Sequence, residues 1–384
     1  MNILQIISSD GFYGAEAMLV ELARNSTALG CNSYVAAFRD SRHPHIEVVD
    51  QARRSGVPAE TIPCYGRWDR NVIRRIRLLI AKHRIDLLHL HGYKADFYGM
   101  LAAWPSGLAL LSTCHSWPSR QLVMRAYAAL DRRLLRNFDR IVPVSDSVAR
   151  ILLASGARPD RIKTIPNGVG VKFFDSAPPT LTFEKRWQGK RLIGFVGRLV
   201  ECKGGAVLLD AAREVVARHP NTIFVFVGEG PQHRAWQAMA ERWGIAEHVA
   251  MLGVRTDMPG IYASLDMLVL PSFAEATPMC VLEALAARKP VVATAVGGVP
   301  DLVIPGMNGM LVETGDAAEL SAAILRLIED PELARRMGVN GNSHVRQHFS
   351  AETMARAYVK QYHQAVAERI ARSRDWAASA GCAR

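Results

Sequence analysis

Short apolar runs alternate with longer stretches of helical periodicity along the whole chain, the pattern of parallel strands joined by helices. Strands are predicted at NILQII (2–7), SYVAAF (33–38), ETIP (60–63), IDLLHL (85–90), LALLST (108–113), RIVPV (140–144) and IKTIP (162–166). The pattern then restarts at RLIGFVG (191–197), TIFVFVG (222–228), HVAMLG (248–253), DMLVLP (266–271), PVVAT (290–294) and GMLV (309–312). The fold class is therefore α/β, in two domains. Between the two sets, FFDSAPPTLTFEKRWQGK contains Pro178–Pro179 and lacks periodicity, so it reads as a linker. The domains are predicted at 1–172 and 191–350, with 173–190 between them, a helix over 351–372 expected to cross back to the first domain, and a frayed tail at 373–384. Open parallel sheets bind ligands beyond the carboxyl ends of their strands, and two such domains on one linker are expected to enclose a cleft. Residues just after strands thus carry most of the functional information.

Length agrees with this division, since 384 residues at roughly 100–200 per domain suggest two. With 49% hydrophobic residues, and no run of apolar residues long enough for a bilayer, the chain reads as soluble. MNILQIIS reads as a buried strand rather than a secretory signal, so a cytoplasmic location is expected. The six cysteines form no CxxC pair and stand at no metal-ligand spacing with histidine, so they read as free thiols, most of them buried. Charge adds an asymmetry: of the net +11, residues 1–180 carry +9. An anionic partner for the first half is one explanation, simple solubility the other.

Two stretches of the second half could carry chemistry. In PSFAEATPMCVLEAL (271–285), Thr277 can cap a helix, Pro278 suits its first turn, and the helix would run to about Arg288. Glu275 then precedes the helix and Glu283 lies almost two turns along it. The first-turn N–H groups near Met279 and Cys280 make a positive end suited to phosphate. Acids on either side of a phosphate can accept hydrogen bonds from two sets of hydroxyls, as a sugar–diphosphate–nucleoside would offer. A capping acid and a solvated acid are the plainer reading. In FVGRLVECKGG (195–205), Arg198 and Lys203 flank a turn from which the next helix starts, and two cations there could hold a diphosphate. A solvated basic turn is the alternative.

Together these residues resemble the retaining GT-B glycosyltransferases of family four, in which a GR…KG turn precedes an E-x7-E motif. DGFYGAEAMLVELA, STCHSW, VPVSDSV and IPNGV are similar to other segments of the family, in order, so the resemblance extends over nearly the whole chain. It implies a GT-B fold of two Rossmann-like domains whose parallel sheets face an interdomain cleft. It implies a nucleotide-sugar donor, with no metal or other cofactor, and a glycan or lipid-linked acceptor, as in polysaccharide, lipopolysaccharide or glycolipid synthesis. By the same resemblance Glu275 binds donor-sugar hydroxyls, Glu283 the ribose, and Arg198 and Lys203 the diphosphate. Ala276, Thr277 and Pro278 face the sugar, while the amides of Met279 and Cys280 add phosphate contacts. His115 orients the donor sugar, and Gly14 allows close backbone approach to donor phosphate or acceptor. Retention without an obvious carboxylate nucleophile implies front-face attack, in which leaving-group stabilisation dominates. The chain departs from the family at Tyr13, where a second glycine is usual, at Gly170, where NGVG replaces NGVD, and at Ala276, which replaces glycine. The last change is tolerable if φ is negative there.

The basic first half contains RWDRNVIRRIRLLIAKHRID (67–86) and SRQLVMRAYAALDRRLLRNFDR (119–140), each readable as a basic amphipathic helix. Such helices rest on anionic lipid headgroups or simply cover a sheet. The domain-wide charge favours a peripheral membrane contact, and no nucleic-acid-binding motif accompanies it. LHLHGYKADFYGML places His89, His91, Tyr93 and Lys94 after a strand; His91, Tyr93 and Lys94 are candidates for acceptor contact, or plain turn residues. GVRTDMPG (253–260) is the candidate base-reading loop. Other classes remain open: a sugar-nucleotide epimerase of the same architecture, a non-catalytic sugar-nucleotide-binding protein, and a nicotinamide oxidoreductase, the last without a G-x-G-x-x-G after either first strand.

Overall fold

The computed structural model describes every residue except 10, 40–45, 67–68, 105, 116–128, 130, 182–186 and 382–384. The chain divides into two compact units, Met1–Gly168 with Ala351–Arg384, and Val169–Ser350. The segment read as a linker, 173–190, therefore lies within the second unit, where the helix Val171–Asp175 is held by ion pairs from Asp175 to Arg288 (2.6 Å) and to Arg346.

The first unit is built on six parallel strands: β1 (Asn2–Ile7), β2 (Asn32–Arg39), β3 (Ala59–Pro63), β4 (Leu87–His91), β5 (Ala109–Cys114) and β6 (Arg140–Pro143). Their order is β3-β2-β1-β4-β5-β6. Helices lie on both faces of such a sheet, so central strands can be apolar throughout, and every residue of β5 is buried. IKTIP does not become a seventh strand. Its Ile162 bridges Ile141, and the N–H groups of Lys163 and Ile165 donate to Ile141 and Pro143 (both 3.1 Å), but Pro166 has no N–H with which to continue. The helix Arg70–His83, capped by the Asp69 carboxylate on the Asn71 N–H (2.9 Å), buries Val72 and Ile76 and leaves Leu78 exposed. Of the second basic stretch, most of 119–130 lies outside the described residues.

The C-terminal helix Ala351–Gly381 completes the first unit. Its Tyr358 and Tyr362 are fully buried, Arg369 and Arg372 pair with the buried Asp139, and Glu368 pairs with Arg140.

The second unit repeats the plan with β7 (Arg191–Val196), β8 (Thr222–Val227), β9 (Val249–Met251), β10 (Met267–Leu270), β11 (Val291–Thr294) and β12 (Gly309–Val312), all parallel. The order is β12-β11-β10-β7-β8-β9. Phe195, Phe226 and Trp236 pack ring against ring at 5.0–6.0 Å under the sheet. In both units the strand order reverses beside the first strand, between β1 and β4 and between β7 and β10, the position at which open parallel sheets bind ligands.

Candidate functional site

The loops leaving β7 and β10 carry the residues that the sequence singled out in the second unit. After β7 the chain makes one turn of 3₁₀ helix at Glu201–Lys203 and passes through Gly204, at φ 71°, into the helix Gly205–Arg218. A Cβ on Gly204 would stand 1.9 Å from the Pro271 carbonyl oxygen, so only glycine lets this turn lie against the loop leaving β10. The Phe273 N–H fastens the two by donating to the Cys202 carbonyl (2.8 Å).

That contact brings Lys203 and Glu275 together. Lys203 Nζ donates to Glu275 Oε1 at 2.6 Å, and Ser272 Oγ donates to the same oxygen at 2.7 Å. The Glu275 side chain is 7% exposed and that of Lys203 20%, so the pair is sheltered yet reachable. Burial is the largest single influence on Lys203 and would lower its pKa, but the charge and hydrogen bond of Glu275, together with the neighbouring Cys280 and Cys202, outweigh it and hold the ammonium above its ordinary value. Lys203 is thus a cation at any physiological pH. Arg198, on the same turn, is exposed.

The helix that follows β10 runs Met279–Ala286. It begins one residue later than the sequence suggests: Pro278, extended at ψ 117°, is the N-cap, and Thr277 is buried just outside it. A residue before proline avoids the helical region, which keeps Thr277 out of the helix, and proline loses nothing at a position whose N–H has no helical acceptor. The helix also stops short of Arg288, which lies in the left-handed region at φ 60°. Ala276 is not among the described non-glycine residues with positive φ, so its replacement of glycine is accommodated.

Glu283, inside this helix, accepts a hydrogen bond from the fully buried Tyr262 hydroxyl (2.8 Å). Burial raises its pKa and the Tyr262 bond only partly counters this. Cys280, between the two acids, has its thiol pushed up to about 12 by burial, which makes it a poor nucleophile. In the candidate base-reading loop, Arg255 pairs with Asp257 at 2.8 Å and brings its pKa down to about 2. Sequence reasoning missed Tyr262 and Ser272. Tyr262 lies in the apolar run PGIYAS and reads as core, and a single serine after a strand carries no signal.

In the first unit Gly14 opens the helix Gly14–Ala28 after the β1 loop, and the Tyr13 N–H donates to the Glu16 carboxylate (3.0 Å). Tyr93, 41% exposed, and Lys94, whose ammonium lies 5.1 Å from the Phe38 ring centre, start the helix Tyr93–Ala103 after β4. His91 is not beside them at the surface: it is buried, with its ring stacked between His89 (4.1 Å between centroids) and His115 (5.7 Å). His91 Nδ1 lies 3.4 Å from His115 Nε2. His89 reaches the Tyr362 hydroxyl (2.9 Å) and Thr113 Oγ1 (2.7 Å), and Thr113 Oγ1 reaches the Tyr358 hydroxyl (2.9 Å). Burial lowers the pKa of all three histidines, His115 to about 4, so they are neutral at pH 7. Among the described residues, no group of three or more His, Cys, Asp or Glu could hold a metal ion.

Comparison with known proteins places this geometry. Residues 12–173 match the family described as Glycosyltransferase Family 4, and residues 180–344 match Glycosyl transferases group 1. The D-inositol 3-phosphate glycosyltransferase of Corynebacterium jeikeium is 31% identical over 249 residues, which is 61% of this chain and 59% of that protein. This chain thus spans less than two thirds of that relative's length. The phosphatidyl-myo-inositol mannosyltransferase of Mycolicibacterium smegmatis is 28% identical over 332 residues, 84% of this chain and 83% of its own. Among solved structures, Anabaena Alr3699/HepE in complex with UDP-glucose superposes with a TM-score of 0.82 at 22% identity, covering 97% of this chain and 99% of that one. Sucrose-phosphate synthase from Thermosynechococcus elongatus gives 0.77 at 20% identity, covering 96% and 100%.

Proposed function

The chain belongs to the family-four glycosyltransferases and has their GT-B fold, and from that premise we propose that it moves a hexose from a UDP- or GDP-sugar to a hydroxyl of a glycan or lipid-linked acceptor, with retention and without a metal. The observation that carries this reading is the sheltered Lys203–Glu275 pair at the strand-order reversal of the second unit, next to the N-terminus of the helix Met279–Ala286.

Lys203 and Arg198, with the Met279 and Cys280 amides, grip the diphosphate. Glu283 takes the ribose hydroxyls, and Glu275 with Ala276, Thr277 and Pro278 faces the sugar. As the glycosidic bond breaks, negative charge grows on the departing phosphate, and an ammonium already held in place meets it without reorganising. A departing phosphate oxygen takes the proton of the attacking hydroxyl on the same face of the sugar. Glu275 suits hydroxyl recognition better than covalent attack, because Lys203 and Ser272 already occupy its Oε1. In the first unit, His115 and Gly14 are assigned to the donor, and Tyr93 and Lys94 to the acceptor. A thermal-shift screen of nucleoside diphosphates and their sugars tests this, since a bound ligand stabilises the fold in proportion to its affinity. One UDP- or GDP-sugar should raise the melting temperature with EDTA present, and Lys203→Ala should abolish the shift and cost about 10²–10³-fold in transfer. No stabilisation of the wild type by any such donor would overturn the reading.

The acceptor side is read as facing an anionic membrane, from the cytoplasmic side. Two relatives act, by their names, on phosphorylated inositols, one of them a lipid. Trp104 is 79% exposed and Leu78 59%, beside Arg74 and Arg77, and Arg77 donates to the Leu101 and Ala102 carbonyls next to Trp104. Among the described residues no helix is long and apolar enough to cross a bilayer. Sedimentation with vesicles containing anionic lipid should capture the wild type and lose the double variant Leu78→Ser/Trp104→Ser; equal capture of both would count against this face.

A further inference from the structure

His91 has one nitrogen committed and one buried alone. Its Nδ1 faces His115 Nε2 at 3.4 Å, whereas its Nε2 is buried without a hydrogen-bond partner among the described residues. Neutral imidazole carries one N–H, so two arrangements are possible. If His115 Nε2 donates, the proton of His91 must sit on the isolated Nε2 and leaves a buried N–H unsatisfied. If His91 Nδ1 donates, the isolated atom is a bare acceptor, and in protein interiors an unmet acceptor is tolerated more readily than an unmet donor. His91 cannot turn to escape the choice. Its ring is packed against His89, whose two nitrogens are tied to Tyr362 and Thr113, and Tyr358 holds Thr113 in turn. The clamp thus runs from the C-terminal helix through the sheet to the end of β5.

We propose that His91 is a positioning residue which donates from Nδ1 to His115 Nε2, thereby fixing His115 as its Nδ1–H tautomer and presenting a hydrogen-bond donor to the reacting sugar. This replaces acceptor contact as the role of His91, and it rests on the reading that His115 meets the donor sugar. It also gives the C-terminal helix a part in the chemistry: Tyr362 directly, and Tyr358 through Thr113, hold His89, which packs on the His91 ring that holds His115. The consequence for recognition is that His115 offers an N–H to a sugar oxygen and takes no proton from the acceptor hydroxyl.

Long-range ¹H–¹⁵N correlation spectra of protein labelled with ¹⁵N-histidine read the tautomer directly, with His115 assigned by its loss in His115→Gln. The wild type should show His115 protonated at Nδ1. In His91→Phe, which keeps a stacked ring and removes the donor, His115 should move toward the Nε2–H form that an unconstrained histidine side chain prefers. In His91→Asn, whose amide nitrogen falls near the position of Nδ1, the wild-type tautomer should return. With the donor found by the screen, His91→Phe should lower kcat about tenfold with donor KM within about twofold, and His91→Asn should restore most of the loss. An Nε2–H His115 in the wild type overturns the proposal even if neither variant folds, as does a tautomer indifferent to His91→Phe. If no nucleotide sugar is turned over while the tautomer behaves as stated, the donor reading has failed and the positioning of His115 stands.

Discussion

Glu283 shows what one side chain's surroundings dictate. Its side chain is half-buried and, among the described residues, accepts one hydrogen bond, from Tyr262, and burial raises its pKa above the ordinary value. Since the folded value exceeds the unfolded one, the stability this group contributes is full below the unfolded pKa and is lost as pH rises through the folded pKa. Ligand binding has the opposite sign, because a carboxylate accepts two ribose hydroxyls where a carboxylic acid does not. Affinity for a UDP- or GDP-sugar, whose diphosphate diester does not titrate in this range, should therefore increase as pH rises above the ordinary carboxylate range. Neighbouring groups should not mimic the effect: Lys203 stays charged, Cys280 titrates at about 12, and His115 at about 4. Isothermal titration over that rise in pH, repeated with Glu283→Gln, checks it; a variant with the same pH slope as the wild type would assign the titration elsewhere. Both acids were legible in the sequence because their spacing is bound to a helix end. Their partners were not: Ser272 and Tyr262 come from the preceding loop and from a different helix, and only the fold brings them there.

Among the elements, the two turns beside β7 and β10 are tightly constrained. Gly204 must adopt φ 71° while its missing side chain admits the Pro271 carbonyl, so both conformation and space exclude any other residue. Gly204→Ala should destabilise the second unit by about 3 kcal/mol, adding strain at positive φ to a backbone clash, and should loosen the Lys203–Glu275 pair along with it. Urea unfolding is the check; a change below about 0.5 kcal/mol would mean that the turn yields more easily than its contacts imply. Strands were the most legible elements, since a two-sided parallel sheet needs short, wholly apolar runs, and β8 is buried from end to end. Two of the slips involve a proline. Pro166 ends the segment after Ile162 before it can pair as a strand, and Pro278 takes the cap position that composition alone gives to Thr277. A proline fixes local geometry, but which of two adjacent residues leaves the helix depends on packing that a local pattern does not contain.

At the scale of the whole chain, the two units differ in how their parts are supplied. The second is continuous, Val169–Ser350, and contains Arg198, Lys203, Glu275 and Glu283 together with its own apolar core. The first must wait for the end of the chain. Without Ala351–Gly381, the buried Asp139 loses the guanidinium groups of Arg369 and Arg372, and His89 and Thr113 lose the hydroxyls of Tyr362 and Tyr358. An uncompensated buried carboxylate costs several kcal/mol, a large part of the whole stability of a domain. The pattern of the last helix gives neither its full length, since it runs on to Gly381 instead of ending near 372, nor the acid it meets, because Asp139 reads as an ordinary loop acid until the fold places arginines on it. Residues 169–350 expressed alone should therefore melt cooperatively and be stabilised by the same nucleotide as the full chain. Residues 1–168 alone should show no cooperative melt by circular dichroism and should regain one when 351–384 is co-expressed. A sharp melt of 1–168 by itself would mean that the sheet and its own helices suffice, and that the C-terminal helix is held by the first unit without holding it.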